Sequence, residues 1–280
     1  MANQVTVRTL QKYKSSNEKF SVLTAYDYST AKYIDQAGID VILIGDSLAM
    51  VALGYENTTS IGIEEMTIFT RAVAKGATRA MVVTDMPFMS YTTDIKTALT
   101  NIGNMVKNGA NAVKLEGCND YILELVKRSV QMGVPVMAHI GFTPQSQNVI
   151  GGHLIQGKNI EATLKLLEQA KQLEQAGAFS VVLEMVPEES AKYISENLTI
   201  PTISCGAGKY CDAQVLVCDD LFGKFSDFKP KFARKYGDMK SLIIDCTTKY
   251  IQDIKSGNFP NKDEVFNLSP DECTLLYTHK

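Results

Sequence analysis

Charged and hydroxyl side chains follow several short apolar segments of the chain, and these are the residues that could do chemistry. The segment VILIGDS at 41–47 runs from apolar residues through a glycine to Asp46 and Ser47. Comparable segments carry the following residues at or near their ends: Asp85, Lys114, Glu116, His139 and Glu184. A single acidic residue after a strand usually caps the next helix, but this repetition predicts one shared site.

Carboxylates dominate this set of residues. Four carboxylates crowded together would repel one another and raise their own pKa values, and a bound divalent cation would remove that conflict. The chain has three histidines, so oxygen ligands and a hard ion such as Mg²⁺ are favoured over zinc. Asp46, Asp85 and Glu116 end three consecutive strand candidates and are the predicted metal ligands.

Lys114, His139 and Glu184 are candidates for substrate binding and proton transfer. Lys114 shares a strand face with Glu116, since the two lie two residues apart. Lys114 could form a Schiff base, pair with a substrate carboxylate or enolate, or neutralise a carboxylate inside the protein. His139 could donate to a substrate oxygen or serve a structural role. Glu184, placed across the mouth of a closed barrel from the metal ligands, could be a general base.

Eight strand candidates position these residues, and each alternates with a helical segment. The strand candidates are 20–27, 41–47, 80–87, 112–117, 134–141, 180–187, 200–208 and 214–220. Strict alternation predicts parallel β-α units, and eight units predict an α/β fold of the (β/α)8 TIM-barrel type. An open doubly wound sheet is the alternative, but no G-x-G-x-x-G follows the first strand candidate. One domain over 1–280 is predicted, with a short N-terminal helix, a helix capped by Ser29 and a polar C-terminal tail.

The composition narrows the classes of partner. A formal net charge of −3 gives no reason to propose nucleic acid as a partner. No run of 18 apolar residues occurs and the N-terminus lacks an apolar export signal, so we expect no membrane span and a cytoplasmic location. The six cysteines form no C-x-x-C pair and are expected to be free thiols.

Several segments, in order along the chain, resemble one enzyme family. They include TAYDYS (24–29), IGDSL (44–48), TDMPFMSY (84–91), KLEG (114–117), GFTPQS (141–146), GGHLIQGK (151–158), VLEMVP (182–187) and PKFARKY (230–236). Together they resemble the 3-methyl-2-oxobutanoate hydroxymethyltransferases, or ketopantoate hydroxymethyltransferases. The chain departs from the family pattern at Ala49, Ser204 and Asp219.

The resemblance implies a barrel of the phosphoenolpyruvate/pyruvate superfamily that acts on small molecules in pantothenate biosynthesis. It implies Mg²⁺, one per subunit, bound at Asp46, Asp85 and Glu116. It also implies 5,10-methylenetetrahydrofolate as co-substrate and a homo-oligomer, often a decamer. Carried over by position, the substrate contacts are Ser47, Asp85, Lys114 and His139, and the catalytic base is Glu184.

Two other functions stay open at this point. A metal-dependent lyase or aldolase acting on another 2-oxo acid would need the same strand-end residues, and a requirement for methylenetetrahydrofolate would separate it from the family activity. A catalytically silent barrel that acts as a binding module is the other, and the intact set of charged residues argues against it.

Overall fold

Eight parallel strands form a closed barrel in the computed structural model, which describes residues 4–225 and 230–279. The strands are β1 (Phe20–Thr24), β2 (Val41–Ile44), β3 (Met81–Asp85), β4 (Ala112–Glu116), β5 (Val136–Gly141), β6 (Ser180–Glu184), β7 (Thr202–Cys205) and β8 (Ala213–Leu216). Each strand pairs with the next in sequence, and β8 pairs with β1. The predicted TIM barrel is confirmed, and the open doubly wound sheet is wrong.

Both faces of the strands are covered, which explains why the strands are apolar runs and not alternating patterns. On β2, Val41 and Leu43 belong to the cluster that fills the barrel, while Ile42 and Ile44 belong to the larger cluster between barrel and helices. The same alternation on β4 places Ala112 inside, and hence the side chains two and four positions later also point inward. Backbone periodicity therefore brings Lys114 and Glu116 to one interior.

Helices follow the strands around the barrel. They are α1 (Val7–Ser16), α2 (Tyr28–Gln36), α3 (Leu48–Val51), α4 (Ile63–Gly76), α5 (Ile95–Lys107), α6 (Asp120–Gln131), α7 (Gln147–Ile150), α8 (Ile160–Ala176), α9 (Glu188–Glu196), α10 (Cys218–Phe222), α11 (Met239–Ser256) and α12 (Pro270–Thr278). None of the helices within the described ranges is long and apolar enough to cross a membrane.

Two details of the expected secondary structure are wrong. The N-cap of α2 is Asp27, two residues before the predicted Ser29, because Asp27 has extended backbone and its carboxylate accepts the Thr30 N–H at 2.9 Å. The strand predicted over 214–220 ends at Leu216, and the remainder turns into α10. Apart from these two details, the predicted C-terminal tail contains α12, which Ser269 caps by accepting the Glu272 N–H. The assignment of 1–280 to one domain stays a prediction.

Helix α11 differs from the helices that cover the barrel, because none of its residues is buried. Its exposed apolar side chains include Leu242, Ile244, Tyr250, Ile251 and Ile254. By contrast, α4 and α6 each bury four residues. The C-terminal part of the chain therefore presents a large apolar face to its surroundings.

Candidate active site

The carboxyl ends of the strands bring the predicted residues together at one mouth of the barrel. Strand register sets Asp85 beside Lys114, Glu116 beside His139, and Gly141 beside Glu184. Asp46 follows the end of β2 by two residues and lies in the same site. The backbone N–H of Asp46 donates to Asp85 Oδ2 at 3.0 Å. Because β2 to β6 are neighbours in the barrel, all the predicted charged residues lie in one site.

Each of the three predicted metal-ligand carboxylates has one oxygen held by a fixed donor. Gln145 donates its side-chain Nε2–H to Asp46 Oδ2 at 2.8 Å and its backbone N–H to Glu116 Oε2 at 3.0 Å. Asp85 Oδ2 accepts the Asp46 N–H, as described. The other oxygens, Asp85 Oδ1 and Glu116 Oε1, are buried and accept no hydrogen bond from the residues that the structure describes. The site therefore offers unsatisfied carboxylate oxygens.

Lys114 lies between those unsatisfied oxygens. Its ammonium is 3.3 Å from Asp85 Oδ1 and 3.8 Å from Glu116 Oε1, and the side chain is 6% exposed. Burial works against the charged form, but Asp85 and Glu116 outweigh it and raise the pKa of Lys114. A permanently charged ammonium is a poor nucleophile, so this environment favours a role in charge pairing over a Schiff base.

Negatively charged groups outnumber positively charged ones in the buried part of the site. Burial raises the pKa of Asp46, and the charges of Asp85 and Glu116 raise it further. Burial also raises the pKa of Asp85, despite the nearby Lys114. The expected upward shift is wrong for Glu116: burial alone would raise its pKa, but the adjacent His139 ring, the Lys114 ammonium and the Gln145 N–H lower it.

His139 connects Glu116 with Glu184. Its Nδ1 is 3.4 Å from Glu116 Oε1, and its Nε2 is 3.2 Å from Glu184 Oε2. Burial and Lys114 oppose protonation of the ring, but the two carboxylates prevail and raise the pKa of His139 to about 9. The Lys114 ammonium also donates to His139 Nδ1 at 3.1 Å, so the proton that the ring can offer is the one on Nε2, next to Glu184.

Close packing sets the position of Glu184. Gly141 has a φ of +94° on the neighbouring strand, and a Cβ at that position would collide with the Glu184 carbonyl oxygen. That carbonyl accepts the Phe142 N–H at 2.8 Å. Glycine is needed here both for its positive φ and for the close approach of the two strands.

Sequence reasoning missed three polar residues of the site: Tyr26, Tyr91 and Gln145. Tyr26 forms a hydrogen bond with Ser47 at 2.9 Å between the two hydroxyls. Tyr91 donates its hydroxyl to Gln145 Oε1 at 2.9 Å. All three lie in segments that carry the family resemblance, but none ends a strand, so the strand-end pattern gave no signal for them.

The donor set fits a magnesium ion that keeps part of its water shell. Within residues 4–225 and 230–279, no three His, Cys, Asp or Glu side chains are placed to enclose an ion by themselves. Mg²⁺ does not need such a cage, because it commonly binds through one or two carboxylates with waters and substrate oxygens completing six ligands. The unsatisfied oxygens of Asp85 and Glu116, next to Asp46, are ligands of that kind.

Comparison with known proteins adds evidence of a different kind. Residues 4–262 match the family model described as ketopantoate hydroxymethyltransferase. A 3-methyl-2-oxobutanoate hydroxymethyltransferase of Clostridium botulinum (strain Langeland) is 52% identical over 97% of this chain and 99% of its own. The enzyme of that name from Caldicellulosiruptor bescii is 46% identical over 94% of this chain and 100% of its own.

A solved structure supports the architecture alone. Crystalline 2,3-dimethylmalate lyase, a PEP mutase/isocitrate lyase superfamily member, aligns with a TM-score of 0.58 over 97% of both chains. Its sequence identity is 13%, so the likeness concerns the barrel and not the chemistry.

Proposed function

The chain belongs to the ketopantoate hydroxymethyltransferase family, and we propose that it transfers a hydroxymethyl group from 5,10-methylenetetrahydrofolate to 3-methyl-2-oxobutanoate. The product would be 2-dehydropantoate (ketopantoate), in pantothenate biosynthesis. Relatives that carry this enzyme name are about half identical to the chain over nearly its full length, which supports 3-methyl-2-oxobutanoate as the substrate. The folate as one-carbon donor is proposed from the family resemblance.

One structural observation carries the proposed chemistry. Glu184 is the most accessible charged group of the cluster, with a side chain that is 16% exposed, against 6% for Lys114 and 3% for His139. It is also linked through His139 to the buried carboxylates. A carboxylate that substrate can reach, beside buried groups that can hold the substrate's oxygens, is the arrangement that proton abstraction next to a carbonyl requires.

In the proposed reaction, Glu184 takes a proton from C3 of the 2-oxo acid. Lys114 and the N–H of His139 face the negative charge that develops on the substrate's oxygens, and Ser47 donates a further hydrogen bond. The C3 carbanion forms a bond with the one-carbon unit of the folate. The two bonds between this carbon and the folate nitrogens break, and water supplies the hydroxyl group in their place. The proton taken from C3 and one proton of the water go to the two nitrogens, and tetrahydrofolate leaves.

The proposal includes one Mg²⁺ per subunit, held by Asp46 and Asp85 with Glu116 in direct or water-mediated contact. When bound, the ion would supply Lewis-acid stabilisation of an enolate. The excess of buried carboxylates over cations supports this assignment, because a divalent ion would offset their repulsion.

The decisive experiment for the base is Glu184→Gln. The variant should fold, yet exchange the C3 proton of 3-methyl-2-oxobutanoate with deuterium at least about 100-fold more slowly, because amides are not general bases. Proton NMR in deuterium oxide measures this exchange. Glu189→Gln removes an exposed charge from α9 and is the matched control. Unchanged exchange in Glu184→Gln would remove Glu184 as the base.

A second assay tests the substrates and the metal. Turnover of 3-methyl-2-oxobutanoate should require methylenetetrahydrofolate and should stop with EDTA, then return on adding Mg²⁺. Turnover without the folate would indicate a lyase or aldolase instead.

The proposal extends to a cytoplasmic homo-oligomer, which the resemblance implies is a decamer. The exposed apolar side chains of α11 support self-association, because clustered apolar side chains on a protein surface often mark interfaces. Sedimentation velocity would test it, and a monomer at micromolar concentration would contradict it.

A further inference from the structure

Gln145 lies between two of the proposed metal ligands, although none of the chemistry described above uses it. It follows β5 in the segment TPQS, and the residue is 8% exposed. We propose that Gln145, held in place by Tyr91, is a positioning residue that sets the relative geometry of Asp46 and Glu116. The inference deepens the proposed function and rests on it for its kinetic consequences.

Four hydrogen bonds engage Gln145. Two of them, from the backbone N–H to Glu116 Oε2 and from Nε2 to Asp46 Oδ2, were described with the site. Nε2 also donates to the Met86 carbonyl at 2.9 Å, and Oε1 accepts the Tyr91 hydroxyl at 2.9 Å. A primary amide has two N–H donors, and both are used here. The side chain is therefore occupied in holding protein groups and not free to hold substrate.

Tyr91 determines which way the amide faces. The backbone N–H of Glu116 donates to the Tyr91 oxygen at 3.3 Å, so the phenol's own proton is available for Gln145 Oε1. An oxygen facing Tyr91 leaves the amide nitrogen facing Asp46, where a donor is needed. Tyr91 is 2% exposed, and it acts on the carboxylates through Gln145.

The link joins groups that the barrel does not place side by side. Asp46 follows β2 and Glu116 ends β4, with β3 between them. Gln145 bridges this gap, and Asp46 passes the connection to Asp85 through its N–H. With these oxygens held by donors, the unsatisfied Asp85 Oδ1 and Glu116 Oε1 keep fixed positions around Lys114. Holding ligands by hydrogen bonds to neighbouring groups is how proteins tune metal sites.

Gln145→Met tests the proposal, because methionine fills a similar volume but has no amide. We expect a folded protein whose Mg²⁺ affinity, measured by calorimetry, falls by about 10–100-fold and whose kcat falls over a similar range. Gln147→Met changes a half-buried neighbour and should alter neither value. Unchanged Mg²⁺ affinity together with unchanged kcat in a folded Gln145→Met protein would overturn the proposal.

Tyr91→Phe provides a second test should Gln145→Met not fold. It removes one hydroxyl and should weaken Mg²⁺ binding and kcat in the same direction, but less. Tyr91 also accepts the Glu116 N–H directly, so a small part of its effect is independent of Gln145. The double variant should therefore lose clearly less than the sum of the two single losses, whereas fully additive losses would contradict the linkage.

The outcomes separate this inference from the proposed function. If the parent protein binds Mg²⁺ but has no hydroxymethyltransferase activity, a Gln145-dependent affinity upholds the positioning role while the function fails. If the parent is active and the variants match it in both Mg²⁺ affinity and kcat, the function stands and the positioning role is wrong.

Discussion

Buried carboxylates lie at both ends of the barrel, but the two ends differ in how many hydrogen-bond donors these carboxylates have. At the end where the strands begin, Asp35 accepts the backbone N–H groups of Thr78, Arg79 and Ala80 at 2.7–3.2 Å. At the end where the strands finish, Asp85 and Glu116 each keep a buried oxygen without a hydrogen-bond donor among the described residues. Hydrogen bonds thus satisfy the carboxylate at one end, whereas at the other end these two oxygens share the charge of one ammonium, Lys114, without a hydrogen bond.

Two further aspartates at the first end follow the same rule. Asp40 accepts the Ser21 N–H at 3.0 Å and pairs with Arg79 at 3.0 Å. Asp212 accepts the Thr202 N–H at 2.8 Å and pairs with Lys14 at 2.9 Å. Each carboxylate ties neighbouring elements of the barrel together.

The shifts in pKa follow from this contrast. Burial alone would raise the pKa of Asp35, but its backbone donors outweigh burial and lower it. Burial raises the pKa of Asp46 and Asp85, where donors are too few to compensate. The carboxylates where the strands begin stabilise the fold, whereas those where the strands finish lower its stability. Such a cost is typical of a site selected for function.

The largest expected effect comes from removing charge at the unsatisfied end. Asp46→Asn combined with Asp85→Asn should lower activity by at least about 10³-fold and abolish the Mg²⁺ requirement, because both proposed ligands are lost. With EDTA present, the free energy of unfolding should stay level or rise, since two crowded carboxylates are gone. Activity assays and urea unfolding measure the two effects. Similar Mg²⁺ affinity in this variant would refute the ligand assignment.

The next largest effect should be a loss of stability without a loss of activity, at the end where the strands begin. Asp35→Ala leaves three backbone N–H groups without their acceptor, and it should lower the free energy of unfolding by about 3 kcal/mol. Activity per folded molecule should not change, because Asp35 lies at the opposite end of the barrel. Urea unfolding and active-site titration test this. A fall in kcat with unchanged stability would contradict the division of roles.

A smaller effect should appear in the pH dependence of stability. The pKa of Asp35 is lower in the folded protein, so its contribution is present above the ordinary aspartate value of about 4 and is lost as pH falls below it. Asp35→Asn removes the charge and should therefore lose less stability than the parent between pH 6 and pH 3. Urea unfolding at both pH values would show this, and parallel losses would argue against Asp35 as the source.

The smallest expected effect concerns the N-terminal helix. Lys14 of α1 pairs with Asp212 and donates to the Ser195 carbonyl at 2.8 Å. Lys14→Met should lower the free energy of unfolding by about 1 kcal/mol, since the pair is partly exposed. Lys12→Met, on the exposed side of α1, is the control. A loss of activity in the Lys14 variant would show that the two ends are coupled.

Much of the architecture could be predicted from the sequence for a simple physical reason. Parallel strands covered on both faces must be apolar runs, and helices must return the chain between them, so both signals are local. The period of two along a strand then specified that Lys114 and Glu116 share a face. Because strand ends converge at one mouth of a barrel, the sequence alone predicts that Asp46, Asp85, His139 and Glu184 form a single cluster.

Local signals failed where a competing local choice existed. Ser29 and Asp27 are both good helix caps, and the backbone conformation at Asp27 decided between them. The residues after Leu216 are predicted as strand because they continue the apolar run 215–218, but α10 begins at Cys218. No local pattern indicated that α11 would bury none of its residues.

The sequence by itself determined the eightfold barrel and which end would carry the reactive residues, because both follow from short-range periodicity and the topology of parallel strands. The tertiary structure decided which carboxylate oxygens accept hydrogen bonds and that Gln145 bridges Asp46 and Glu116. It also decided that Asp35 binds the backbone N–H groups that precede β3. These features depend on individual donor–acceptor distances between residues as many as 99 positions apart. Such distances are set only when the whole barrel has closed and packed.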